Sequence, residues 1–233
     1  MKSTGWGRGL AVASVLAVLL LTGCATRTKM TFEDPAESVT AASKPVFLMT
    51  ATIKNPYKTR YQPKLNVLHV EKPGATEAAD RWNFVVDDKA RQETNSSTRG
   101  NHYLLRMSLD PGSYELVGFS ALASAFPVHG LFFVPLYANL KVTAPGVYYL
   151  GHVEATVRER QGEEFRAGPL IPLIDQAIAG ASGGTFDIVI TDQQAKDEAA
   201  FRSYFPALAN VPIIKAMLPS FDRIKAQKRW DAQ

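Results

Sequence analysis

The chain has 233 residues, 46% of them hydrophobic, with 26 Lys and Arg against 22 Asp and Glu, a formal net charge of +4 and one cysteine. Such a length supports one large domain, or one domain with an appendage. The lone cysteine excludes an internal disulfide, and the small charge excess gives no concentrated basic face for nucleic acid.

Lys2 and Arg8 precede an uncharged run over residues 9–23, which is too short for a span of about 20 apolar residues. A basic start, a short apolar core and a small-residue exit are the pattern of a secretory signal. The exit reads Leu21-Thr22-Gly23-Cys24. This resembles the bacterial lipobox, in which Leu21, Thr22 and Gly23 would be read by the signal peptidase and Cys24 would receive lipid on sulfur. The resemblance implies a protein held on a membrane by several acyl chains, where one alone binds only marginally. Ala25 rather than aspartate follows the cysteine, which by the same resemblance implies the outer membrane, facing the periplasm. Cleavage would leave 210 residues. Both signal cations are lost and all 22 acids remain, so the mature balance is +2.

Residues 24–44 show neither helical nor strand period and read as the lipidated cysteine followed by a flexible tether, with a reach of roughly 25 Å. A β domain is expected over 45–191. Eight runs with strand character fall at 46–53, 65–70, 82–86, 102–109, 114–119, 131–142, 147–157 and 186–190. No helical period separates them, so the expected fold is mainly β, an antiparallel sandwich with short C-terminal helices. Leu109-Asp110-Pro111-Gly112-Ser113-Tyr114 and Thr143-Ala144-Pro145-Gly146-Val147-Tyr148 share one form, 34 residues apart. Proline followed by glycine predicts a type II turn at each, opening a strand in register. A short helix is expected after Pro172. Residues 192–233 read as a helical appendage, with Thr191 capping its first helix and Gln194 completing a capping box.

Three stretches invite a chemical reading. Gly180-Ala181-Ser182-Gly183-Gly184 matches G-x-S-x-G, but that elbow needs a strand before the serine and its histidine after it. All four histidines, at 69, 102, 129 and 152, precede Ser182, so a glycine turn is expected. The histidines have no metal-ligand spacing, Asp87-Asp88 and Asp192 lack a calcium-loop pattern, and Glu163-Glu164 reads as a solvated loop. No metal or cofactor is therefore expected. His69 and His152 are expected to face solvent or fill a sheet edge. The third stretch is the uncharged run over 116–140. It predicts two core strands joined by an apolar loop over 120–130. Phe126, Phe132 and Phe133 there, with Trp230 in the basic C-terminal run, are the candidate contacts for a partner or membrane.

The Pro-Gly-x-Tyr turns, the strand at Tyr148-Tyr149-Leu150-Gly151 and the run Ile171-Pro172-Leu173-Ile174-Asp175-Gln176 resemble bacterial lipoproteins with a transthyretin- or prealbumin-like sandwich. The resemblance covers about residues 45–190 and implies fold and compartment, not chemistry. The lipoprotein of type VI secretion systems is similar in plan, without a shared motif here. The sequence thus predicts a lipid-anchored, non-catalytic binding or assembly component of the envelope, with an envelope protein as partner and no nucleic acid. Two alternatives remain open: a hydrolase in which Ser182 meets a histidine, or a carrier with a cavity lined by Phe132, Tyr137 and Tyr149.

Overall fold

A computed structural model describes residues 26–34, 37–40, 43–142, 144–169 and 176–232. Leu21, Thr22, Gly23 and Cys24 lie outside the described residues, as does most of the helix expected after Pro172. The described end of that helix, residues 177–179, is turn rather than helix, and the turn continues through the expected glycine stretch to residue 183.

Among the described residues the chain is mainly β, with eleven strands rather than eight. They are β1 (Thr26–Lys29), β2 (Val46–Lys54), β3 (Lys64–Glu71), β4 (Arg81–Val85), β5 (Arg91–Glu93), β6 (Asn101–Ser108), β7 (Gly112–Ala125), β8 (Val128–Val142), β9 (Val147–Glu159), β10 (Gly184–Thr191) and β11 (Ile213–Lys215). Each of the eight expected runs is one of these. The three additions, β1, β5 and β11, are three or four residues long, too short to show a period. One sheet has the order β1-β4-β3-β7-β8, and the other β10-β9-β2-β6-β5 with β11 also on β9. The sheets are mixed, not purely antiparallel: β1 runs parallel to β4, and β9 parallel to β2 and β11. None of these parallel pairs is joined by a hairpin, so no tight turn fixes their direction.

The two sheets bury one common cluster. Leu65, Leu68, Phe84, Phe119 and Phe132 come from the first, and Phe47, Met49, Tyr103, Leu105 and Val153 from the second. A second cluster lies on the other face of β2: Val46 and Leu48, with Leu104 and Val147, pack against Phe32, Phe201, Phe205 and Leu208. Strand β2 is therefore apolar on both faces, which explains its unbroken hydrophobic run. Phe201 belongs to α1 (Gln194–Tyr204), and a second helix, α2 (Arg223–Asp231), ends the described chain. Neither is long and apolar enough to cross a membrane. The capping box is not formed. Thr191 closes β10, and Asp192 instead accepts the Gln194 N–H at 3.0 Å.

Residues 26–32 are not a free tether. Strand β1 extends the first sheet, and Met30 and Phe32 are buried. The cause is Arg106, whose side chain is fully buried. Its Nε donates to Thr31 O at 2.7 Å, Nη1 to Leu104 O at 2.8 Å, and Nη2 to Asp87. The guanidinium also sits over the Phe205 ring at 4.0 Å.

The Pro-Gly-x-Tyr entries are equivalent, but not as type II turns. Gly112 and Gly146 have φ of 159° and 149°, far from the +80° of that turn. In each copy the tyrosine folds back over the glycine, and its hydroxyl donates four residues upstream: Tyr114 to Asp110 O at 2.9 Å, Tyr148 to Ala144 O at 3.0 Å. A Cβ on Gly146 would stand 3.3 Å from the Tyr148 ring, a tight contact that a side chain there would press against.

The run over 116–140 is a long hairpin. The expected loop over 120–130 shrinks to the turn at Phe126-Pro127, because both strands continue to its base. Strand β8 ends the first sheet, and residues 165–168 cover its open side. Phe133 N donates to Ala167 O at 2.8 Å, and Ala167 N donates to Gly184 O at 2.7 Å. That segment thereby bridges the two sheets.

Candidate functional site

The four aromatic contacts expected from sequence divide into two places. Phe126 stands alone at the hairpin tip, 90% exposed. Phe132, Phe133 and Trp230 come together in a groove of about 410 Å³ where β7 and β8 meet the 165–169 segment and α2. Phe132 is only 1% exposed and belongs to the core, which corrects its reading as a surface contact. Leu131, Pro135, Tyr137 and Phe165 complete an apolar lining, and Ser120 and Arg166 are among its few polar groups. The volume is that of an ordinary small-molecule site, apolar with a few convergent polar groups.

Helix α2 forms one wall because its cations are spent on the domain. Lys225 donates to Glu115 at 2.7 Å and Arg229 to the same carboxylate at 3.0 Å. Arg223 reaches Glu164 at 2.7 Å and Phe186 O at 2.8 Å. Gln227 accepts from Phe165 N at 2.7 Å and donates to Glu163 O at 2.9 Å. The basic C-terminal run is thus largely a set of internal ties, not a free polybasic patch. Trp230 is left half-buried over the groove.

Ser120 faces the groove because it alternates with the buried Phe119 and Ala121 along β7. Its hydroxyl lies 2.7 Å from His69 Nε2 on β3. His69 Nδ1 lies 2.7 Å from Asn83 Oδ1 on β4. His69 and Asn83 are direct cross-strand partners, and Ser120 pairs with Val67, placing it diagonal to His69. A carbonyl oxygen only accepts, so Nδ1 carries the proton and Nε2 presents its lone pair to the serine. Burial lowers the His69 pKa from its ordinary 6.5, with the Asn83 bond opposing in part. The imidazole is therefore neutral at pH 7 and fit to accept a proton.

Neither protein-family models, curated proteins nor solved structures yield a match to this chain. The residues of the groove must therefore be read on their own chemistry.

The other expected sites resolve differently. Ser182 lies in the turn before β10, and its carbonyl accepts from Arg166; no histidine bonds it among the described residues. Tyr149, expected beside Phe132 and Tyr137, is in another sheet and donates to Asp197 at 2.7 Å. Asp197 on α1 is buried and also accepts from Thr50 Oγ1 at 2.6 Å. Thr50 therefore accepts in turn from His152 Nδ1, at 2.8 Å. His152 is buried beneath this network rather than facing solvent, and stacks on His102 with centroids 5.7 Å apart. Burial, then the neighbouring His152, depress His102 to about 4. Among the described residues no three His, Cys, Asp or Glu side chains converge on a point that could hold a metal.

Sequence reasoning overlooked Ser120, His69, Asn83 and Arg166 as one group. The alternation of β7 turns Ser120 outward, but the triple needs the register of three strands. Its partners lie 14 and 51 residues from His69.

Proposed function

We propose that this chain is a lipid-anchored protein of the bacterial envelope, on the periplasmic face of the outer membrane, whose two sheets form a β-sandwich and whose outer groove binds an apolar chain. The groove carries the binding half of this reading: aromatic and aliphatic walls, with Ser120 and Arg166 as polar groups suited to an amphiphile's head. Leu-Thr-Gly-Cys at 21–24 supports the anchor, and the resemblance to envelope lipoproteins with transthyretin-like sheets belongs to the same proposal.

Strand register sets Thr26 far from the hairpin tip. Thr26 is level with Trp82, Val70 and Leu116, whereas the hairpin runs on from Leu116 to Ala125, about 30 Å further. A bilayer holding Cys24 would lie beyond the Thr26 end. Phe126, at the other end, suits an envelope protein partner better than that bilayer.

The test is quenching of tryptophan emission by a brominated fatty acid. Quenching should saturate in the parent and be lost in Phe133→Asp; equal quenching in both would remove the groove reading. For the anchor, Cys24→Ser should move the protein out of the membrane fraction, and unchanged fractionation would remove it.

A further inference from the structure

All four histidines bond a hydroxyl: Ser120 with His69, Thr52 with His102, Ser124 with His129, and Thr50 with His152. They differ in what surrounds the pair. Thr50 gives its proton to Asp197 and has none to offer His152. Thr52 bonds His102, whose ring stacks on His152. Ser124 and His129 are exposed near the hairpin tip, and nothing among the described residues holds the second ring nitrogen of His129. His69 alone of the four has one nitrogen fixed by a carbonyl oxygen and the other on a serine that opens onto a groove.

Base-to-nucleophile contact, a third group setting the tautomer, and a shaped cavity beside the nucleophile are what covalent acyl transfer requires. We propose that Ser120 is a nucleophile toward carboxylic esters whose acyl chain occupies the groove, with His69 as its general base and Asn83 as the group that positions the imidazole. The inference rests on the groove accepting an acyl chain and adds a reaction to it.

Ser120 Oγ attacks the ester carbonyl carbon while its proton passes to His69 Nε2, and the carbonyl π pair moves onto oxygen. Collapse of the tetrahedral adduct expels the alcohol oxygen, which takes the proton back from Nε2 and leaves an acyl-Ser120 ester. Water then attacks that ester and gives a proton to Nε2. The second collapse returns the proton to Ser120 Oγ and frees the carboxylic acid. The sum is ester plus water to acid plus alcohol. Arg166, lining the same groove with guanidinium N–H groups to spare, is placed to offset negative charge as it develops on the carbonyl oxygen. Neutral His69 is the competent form, so the rate should rise with pH through a value below 6.5 and then level.

The experiment uses the full chain in lipid nanodiscs with an alkyl fluorophosphonate probe and p-nitrophenyl octanoate. The probe should label Ser120, located by peptide mass. Ser120→Ala should lose the label and fall to background hydrolysis. His69→Gln should slow hydrolysis by about 10²–10⁴-fold. Asn83→Ala should slow it less and shift the acid limb of the pH profile. A parent protein unlabelled at Ser120 overturns the proposal, as does hydrolysis undiminished in Ser120→Ala. If quenching survives in that case, the serine chemistry fails and the groove reading stands; if quenching is also absent, the groove reading fails with it.

Discussion

Replacing Arg106 by methionine keeps most of the side-chain volume and removes every polar tie it makes. Three groups are then stranded: the Asp87 carboxylate, whose side chain is 12% exposed, and the carbonyls of Thr31 and Leu104. Asp87 already has one oxygen, Oδ1, buried without a hydrogen bond, so nothing nearby takes over the charge. Breaking a buried pair from one side costs about 3–5 kcal/mol, since the remaining ion is left uncompensated. For a domain of this size that is a fall in Tm of about 6–20 °C. Differential scanning fluorimetry of Arg106→Met gives the number directly. The double variant Arg106→Met with Asp87→Leu should recover a large part of the loss, because the isolated charge goes too. Limited proteolysis should also open near Thr31, whose carbonyl loses the Arg106 guanidinium. A single variant within about 1 kcal/mol of the parent would refute the argument, and so would a double variant worse than the single.

Phe126→Asp should change stability by less than about 0.5 kcal/mol, because the ring is nearly all in solvent, whereas Phe132→Ala should cost about 3–5 kcal/mol in the same urea titration. Tyr148→Phe should cost about 1 kcal/mol through the lost bond to Ala144 O, again read from the urea midpoint. Acid should weaken the protein by a route that can be assigned. His102 and His152 are held below their unfolded pKa of 6.5, so the unfolded chain binds protons first as pH falls. Their contribution is whole above about 6.5 and is lost as pH drops toward the folded value of about 4 for His102. A variant with both histidines replaced by glutamine should show a flatter Tm profile over that window; an unchanged slope would exclude them as the cause.

The eight long strands were legible because each carries its own alternation or unbroken apolar run. Strands β1, β5 and β11 were not, since three or four residues hold no period and their existence depends on the edge they join. Residues 26–32 look like solvated linker until Arg106 is known to be buried at 0% exposure, and nothing local to either stretch reveals their meeting. The turn motif was visible as a repeated form, but its reason, a tyrosine laid over a glycine, needed coordinates. Phe133 and Trp230 were picked for hydrophobicity and do share a groove. Ser120, His69 and Asn83 are unremarkable singly, and only strand register makes them a chain of hydrogen bonds.

The bridge at 165–168 bears on how densely this molecule can be packed. A sheet whose last strand offers free N–H and C=O groups invites a neighbour to add on. Here β8 is met by residues 165–168, and β10 is met at Gly184 by Ala167 and at Phe186 by the Arg223 guanidinium. The remaining borders among the described residues, β1, β5 and β11, are short and carry Arg27, Lys29, Arg91, Glu93 and Lys215. Copies brought close together at high concentration can therefore crowd side by side without stitching into fibrils.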